Sequence, residues 1–437
     1  MPGEVREGHR NTLYLLSAVS MIFMTLTLAV QPLYLSEQLG LGRENAGFVN
    51  ANIQVLTEIL DLLFIGYLGY LSDRFGRTPL IVVGFLVSAV TATMAAFSVE
   101  LGEIVGIGGL AFFYVTRAVS SLGATAVLPQ LATLSGDFSN REERPTLVAN
   151  TGFMMAFGAT LVYAVLMQIP QEVGVLSVML LTGAVALVGA WLAKNFLVDV
   201  APRLAGNPSV SARRQGAGAM RRLLVMVKRE KGLVLSFATA FISRNDMVLV
   251  GLFLMTWSIY FAELLGMEPV QAASRAGLTI GFIGLVVLVS IPIWGRIIAR
   301  IGRVPAIVLG LALSGLGFCG IGLIVNPFGV WMLLPSLLLG FGQAGALLAP
   351  QVLTMDLAPE EMRGTVLGAF NTVGCLGVIL FLQAGGLLFD WFGPHMPFVL
   401  LGIANLLLMA YGLAIMNEAS AEDSPQTAKV GANIEDF

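Results

Sequence analysis

Five ionisable side chains stand inside runs otherwise apolar enough to cross a lipid bilayer: Glu58, Asp61, Arg117, Arg244 and Asp246. A charge near the middle of a spanning helix costs about 2.5–3.5 kcal/mol on insertion scales, so each is expected to face an aqueous cavity or a partner. Glu58 and Asp61 are three residues apart and share one helix face. Two carboxylates so close in a low dielectric resist being charged together, which suits the pair to carrying a proton. The same oxygens are hard ligands and would also suit a metal cation; no other metal site is predicted. A third reading, in which the pair is a structural partner for Arg117, stays open beside these. Arg244 and Asp246 are two apart and so lie on nearly opposite faces of one helix, one lining the cavity and the other meeting a neighbour. Gln54 and Asn371 read as ordinary interhelical hydrogen-bonding residues.

Such residues need a scaffold, and the composition says which kind. Of 437 residues, 57% are hydrophobic and 12% charged. Soluble domains carry about 25% charged residues, so this sequence cannot cover a water-facing surface and reads as an all-α polytopic membrane protein. Cys319 and Cys375 both fall in apolar runs, which suggests neither a disulfide framework nor a metal site. His9 and His395 lie outside those runs, so a histidine-ligated catalytic metal is not expected. No nucleophile–base cluster is visible, so no enzyme activity and no cofactor are expected.

Runs of spanning length begin at about 12–35 and continue at 45–71, 79–98, 105–134, 145–168 and 173–196. After a polar interval come 233–262, 273–295, 305–325, 329–354, 364–389 and 395–417, six plus six. The first run is too long for a signal-peptide core and is read as a retained helix. With the N-terminus inside, twenty of the 24 basic residues fall in the cytoplasm, which fixes both termini there. Residues 1–198 are expected to form one six-helix bundle and 232–417 a second. Between them, 199–231 is a cytoplasmic linker, flexible in its first part; its Met220–Arg229 stretch suits either an amphipathic helix on the inner leaflet or a solvated basic segment. Residues 418–437 are polar and read as a disordered tail.

The two halves share a motif. Gly69, Arg74, Gly76, Arg77, Pro79, Ile81, Val82 and Gly84 recur as Gly295, Arg300, Gly302, Arg303, Pro305, Ile307, Val308 and Gly310, at a fixed offset of 226. Each half also places an acid seven residues before an arginine, Asp137 and Arg144 in the first and Asp356 and Arg363 in the second. A repeat of this length implies two halves built on one plan. Gly76 permits a tight turn, and Gly69 would let the second helix approach a neighbour closely. Asp73 can face the positive end of the eleventh helix near Gly364 and Thr365, and Arg77 can pair with Asp137. Such contacts would latch the cytoplasmic side in one state. Ala299 stands where the first copy has Asp73, so the latch is asymmetric, and Arg74, Arg300 and Arg303 read more simply as headgroup anchors.

The Gly-x3-Asp-Arg-x-Gly-Arg stretch between two apolar runs resembles the loop between helices 2 and 3 of the major facilitator superfamily, and the second copy resembles that family's echo between helices 8 and 9. The resemblance implies twelve transmembrane helices in two pseudo-symmetric bundles, with secondary active transport by alternating access. Arg117-x5-Gly123 is similar to the fourth-helix pattern of the family's proton-coupled antiporters, with Ser121 where the first glycine would stand. The drug exporters' Gly-Pro pair in the fifth helix is missing, because Gly152 and Gly158 are followed by no proline before Pro170. Stretches 11–35 and 44–84 are similar to magnetosome-membrane members, implicated in iron handling. Counted back from Asp73, Glu58 and Asp61 stand roughly 18–22 Å above the cytoplasmic end, at mid-membrane depth.

The expected function is thus proton-coupled transport of a small solute of drug or metabolite type. The alternatives are transport of a metal cation held by Glu58 and Asp61, and a non-transporting receptor or scaffold that kept the fold. Protons, a small molecule or ion, and lipid are the expected partners, without nucleic acid. A monomer in the bacterial inner membrane is expected.

Overall fold

Among the described residues, twelve helical spans are long and apolar enough to cross a membrane, the stretch Lys231–Leu264 counting as one. The computed structural model describes residues 7–139, 143–199, 222, 225–227, 229–244, 246–359 and 362–432; for Asp73, Arg144, Pro145, Asp246, Arg363, Gly364 and 418–432 the description stops at the backbone. In chain order the helices are α1 (Glu7–Glu37), α2 (Ala46–Phe75), α3 (Arg77–Ala96), the short α4 (Ser98–Val105), α5 (Gly109–Asp137), α6 (Arg144–Ala164) and α7 (Pro170–Phe196). The second half has α8 (Lys231–Ser243), α9 (Asp246–Leu264), α10 (Pro269–Ile301), α11 (Arg303–Gly322), α12 (Leu333–Leu357), α13 (Arg363–Phe392) and α14 (Met396–Ala432). Helix is the expected answer of an apolar chain in lipid, because each backbone N–H and C=O is then satisfied within its own segment.

The helices form two pseudo-symmetric six-helix bundles. In the first, α3 packs on α5 and α7, and α1 on α6 and α7. In the second, α11 packs on α12 and α14, and α8 on α12 and α13. The halves meet through α2 against α13, α6 against α10, and α1 against α9. Each half has its own apolar core, around Leu16, Phe85 and Val127 in one and Trp294, Ile307 and Leu353 in the other. A third cluster, with Tyr34, Ala51, Tyr163, Phe253, Ile280 and Phe389, is shared between the halves.

The repeated glycines have different jobs. Gly76 and Gly302 turn the chain between successive helices at φ 97° and 87°, a region that side chains with a Cβ avoid. Gly84 and Gly310 allow close packing within each half. A Cβ on Gly84 would lie 2.6 Å from the Gly123 carbonyl of α5, and one on Gly310 would lie 2.7 Å from the Ala346 amide of α12. Small residues at such crossings let membrane helices approach backbone to backbone.

Gly69 departs from its expected role. A Cβ there, or at Gly295, would meet nothing within 4 Å. The reason is the angle between α2 and α13. At one end they touch, Gly47 against Gly386, where a Cβ on Gly386 would lie 2.8 Å from the Gly47 carbonyl. At the other end Gly66, Gly69 and Gly368 all have open space, and Leu63 and Tyr67 are exposed. The two helices therefore join at the face away from the glycine turns and splay at the face that carries them, here called the hairpin face.

The seventh span is described as α8, ending at Ser243, and α9, beginning at Asp246; Arg244 between them keeps helical dihedrals, φ −59° and ψ −40°, and Asn245 lies outside the described residues. One further expectation is corrected. The last helix runs on to Ala432, through residues 418–432 read from sequence as a disordered tail. Ala, Glu, Gln and Lys in that stretch are good helix formers. Of the linker segment Met220–Arg229, only Arg222, 225–227 and Arg229 fall among the described residues.

Candidate functional site

A polar chain crosses the middle of the first half. Arg117 on α5 is 7% exposed and donates from Nε to Gln31 Oε1 of α1 at 3.3 Å and from Nη2 to Gln54 Oε1 of α2 at 3.4 Å. Gln31 is fully buried, and its Nε2 donates to the carbonyl and the Oδ1 of Asn50, both at 3.1 Å. Gln54 Nε2 donates to Glu58 Oε1 at 3.4 Å. Asp61, one turn further along α2, accepts from the hydroxyl of Thr125 on α5. Three helices thus aim one guanidinium and two carboxylates at the same region.

The detail matters for chemistry. Among the described residues, no ion pair within 4 Å joins Arg117 to either acid. Neutral glutamine oxygens hold the guanidinium instead, and they position it without cancelling its charge. Glu58 and Asp61 are half-buried. They remain available to a proton or a ligand, within reach of the field of a fixed cation. Gln31, Asn50 and Thr125 were not singled out from the sequence. The first two are amides inside apolar runs, the same signal that picked out Gln54, and Thr125 stands eight residues after Arg117 on α5.

Arg244 lies across the interface in the second half. It donates to Asn371 Oδ1 of α13, and both line an open cavity of 350 Å³ with Phe370 and Gln351. Gly374 makes room for the arginine stem, which a Cβ there would strike. The side chain of Asp246 lies outside the description. Among the described residues no three of His, Cys, Asp and Glu gather into a metal-sized cluster. Glu58 and Asp61 would need neutral oxygens, such as those of Gln54 and Thr125, or water to complete a cation shell.

On the hairpin face, Arg77 pairs with Asp137 and Arg303 with Asp356, the latter at 2.7 Å. Each pair joins the start of one helix to the end of another within the same half, α3 to α5 and α11 to α12. They brace the halves internally; neither bridges them. Arg303 is thereby more than the headgroup anchor read from sequence, because the acid seven residues before Arg363 reaches it. Arg300 is exposed, and Arg74 lies over the Phe75 ring at 5.3 Å. The side chains of Asp73, Arg144 and Arg363 lie outside the description, as does any contact of Asp73 with Gly364.

Comparison with known proteins extends these observations. The family model for the Major Facilitator Superfamily matches residues 13–382. The chain is 51% identical over 426 residues to the magnetosome protein MamH of Paramagnetospirillum magneticum, covering 97% of this chain and 96% of that one. It is 37% identical over 402 residues to the magnetosome protein MamZ of the same organism, covering 92% of this chain and 62% of that one. Among solved structures, the nucleoside transporter NupG superposes with a TM-score of 0.73 at 13% identity, over 93% of this chain and 99% of that one. An inward-open form of the xylose transporter XylE from E. coli superposes at 0.67 and 16% identity, over 92% of this chain and 96% of that one.

Proposed function

We propose, from the premise that this chain belongs to the major facilitator superfamily, that it is a secondary active transporter moving a small solute by alternating access, coupled to protons through Glu58 and Asp61. The observation that carries the reading is the pair of half-buried carboxylates beside an arginine that, among the described residues, is held by two glutamines. A fixed cation next to two acids makes their proton occupancy sensitive to whatever charge enters the cavity, and that sensitivity is what coupling requires. In this reading the hairpin face is cytoplasmic, as the distribution of lysine and arginine implies, and 1–198 and 232–417 move as two bodies. Asp73 completes a latch on the start of α13, the eleventh span, when the hairpin face closes.

A second reading is favoured by a specific observation. The chain shares half its residues with a protein named for the magnetosome, and the carboxylate pair offers hard oxygen ligands. The solute would then be a divalent metal cation, with Glu58 and Asp61 as ligands rather than proton carriers. A receptor or scaffold that kept the fold is disfavoured by the number of costly charges retained in the spans.

The test is transport by purified protein in liposomes carrying an internal pH dye, challenged with divalent metals and a panel of small metabolites. Each pH unit stores about 1.36 kcal/mol, so a one-to-one proton exchanger accumulates its solute about tenfold per unit. The double variant Glu58→Gln, Asp61→Asn is expected to abolish that accumulation. Loss of pH-driven accumulation with survival of solute exchange at equal pH supports proton coupling. Loss of metal binding at every pH supports the metal reading. Full gradient-driven activity in the double variant refutes both.

A further inference from the structure

At the face away from the hairpins the two halves are held by a contact that the sequence reading did not anticipate. Helix α2 begins at Ala46, and the first amides of a helix have no partner in their own ladder. Asn45 stands where a capping side chain would help, yet makes no such bond. The cap comes from the other half instead. Asp390 Oδ1 accepts from the Gly47 amide at 2.7 Å and Oδ2 from the Phe48 amide at 2.8 Å. Asp390 lies in the last turn of α13, where an acid opposes the dipole of its own helix, and the positive end of α2 offsets that cost. Nearby, the Tyr260 hydroxyl of α9 donates to the Leu41 carbonyl just before α2, at 2.6 Å. An open cavity of 380 Å³, walled by Arg43, Glu44, Trp257, Tyr260 and Asp390, borders the contact. Beside it, Phe389 of α13 and Ala51 of α2 belong to the apolar cluster that the halves share, so opening this face parts those side chains as well as the cap.

Resting on the alternating-access reading above, we propose that Asp390 is the gate of this face: it supplies the missing cap of α2 from the opposite half while the face is shut, and releases it when the face opens. The cap is both a seal and a switch. Once the halves part, the two amides become exposed to water, which satisfies them, so the polar part of the contact breaks at modest cost. Tyr260 is the second, weaker catch.

The experiment measures the gate itself. Spin labels are placed on Gln38→Cys and Leu265→Cys, exposed positions on the two halves at this face, after Cys319 and Cys375 are exchanged for alanine. Distance distributions are then recorded in lipid nanodiscs. Asp390→Asn, which keeps size but removes the charge, is expected to raise the ratio of long to short distances about tenfold, and Asp390→Ser in the same direction. Tyr260→Phe is expected to raise it about fivefold, and Glu44→Gln, in the same cavity but off the α2 amides, to leave it unchanged. An Asp390→Asn or Asp390→Ser ratio within twofold of the parent overturns the proposal, as does an equal shift with Glu44→Gln. A parent that shows a single distance under every solute and pH condition overturns alternating access itself, and the gate with it.

Discussion

The two hairpin ion pairs offer a controlled comparison, because the repeat places the same contact in two different surroundings. In the first half, the side chains of Arg77 and Asp137 are 11% and 26% exposed; in the second, those of Arg303 and Asp356 are 45% and 47% exposed. Removing one partner of a buried pair leaves an uncompensated charge and costs about 3–5 kcal/mol, whereas exposed pairs are worth about 0–1 kcal/mol. Arg77 lies near the buried end of this range, and its Nε already lacks a partner among the described residues. Asp137→Asn is therefore expected to destabilise by about 3 kcal/mol and Asp356→Asn by less than about 1 kcal/mol. The assay is equilibrium unfolding of purified protein in mixed micelles, run as double-mutant cycles with Arg77→Gln and Arg303→Gln. Coupling should exceed about 1.5 kcal/mol in the first cycle and vanish within error in the second. Equal costs in the two halves, or no coupling between Arg77 and Asp137, would refute the argument from burial.

Gln31→Leu should destabilise the chain by about 2–4 kcal/mol, since it strips a buried guanidinium of one acceptor and Asn50 of its donor; thermal unfolding checks this. His395 packs edge-on against Trp257 with ring centroids 4.7 Å apart, and its Nδ1 is buried without a partner among the described residues. Burial lowers its pKa below the ordinary value of 6.5, so the folded chain takes up this proton at lower pH than the unfolded chain. Its contribution to stability is full above about pH 6.5 and is lost as the pH falls below that. His395→Phe should accordingly lose less melting temperature than the parent between pH 7.5 and pH 5.

Much of the fold could be read directly from the sequence, because in lipid the length of an apolar run and the need to satisfy its backbone leave little choice. The twelve spans, the division into two halves and the turns at Gly76 and Gly302 all follow from local pattern. The site was legible only where a charge interrupts that pattern. Glu58, Asp61 and Arg117 stand out because they are expensive, whereas Gln31 and Asn50 cost less and look like incidental polar residues. Asp390 stands only two residues from its helix end, where an acid attracts no notice, and its partner is 343 positions away. Periodicity says which face a residue occupies and is silent on what faces it. Arg303 was misjudged for that reason.

The contact of Gly47 with Gly386 has a mechanical meaning. It lies at one tip of two helices of thirty residues each, each about 45 Å long at 1.5 Å per residue. A pair of rods touching near one tip behaves as a lever with its fulcrum off-centre. A rotation of roughly 10° about that point would carry the far tips about 7 Å past one another, enough to admit a hydrated ion. With no side chain on either glycine, the two backbones meet directly, and only the Ala51 methyl and the Phe389 ring beside them limit the roll. Any larger residue at either glycine would move the pivot outward and shorten the stroke.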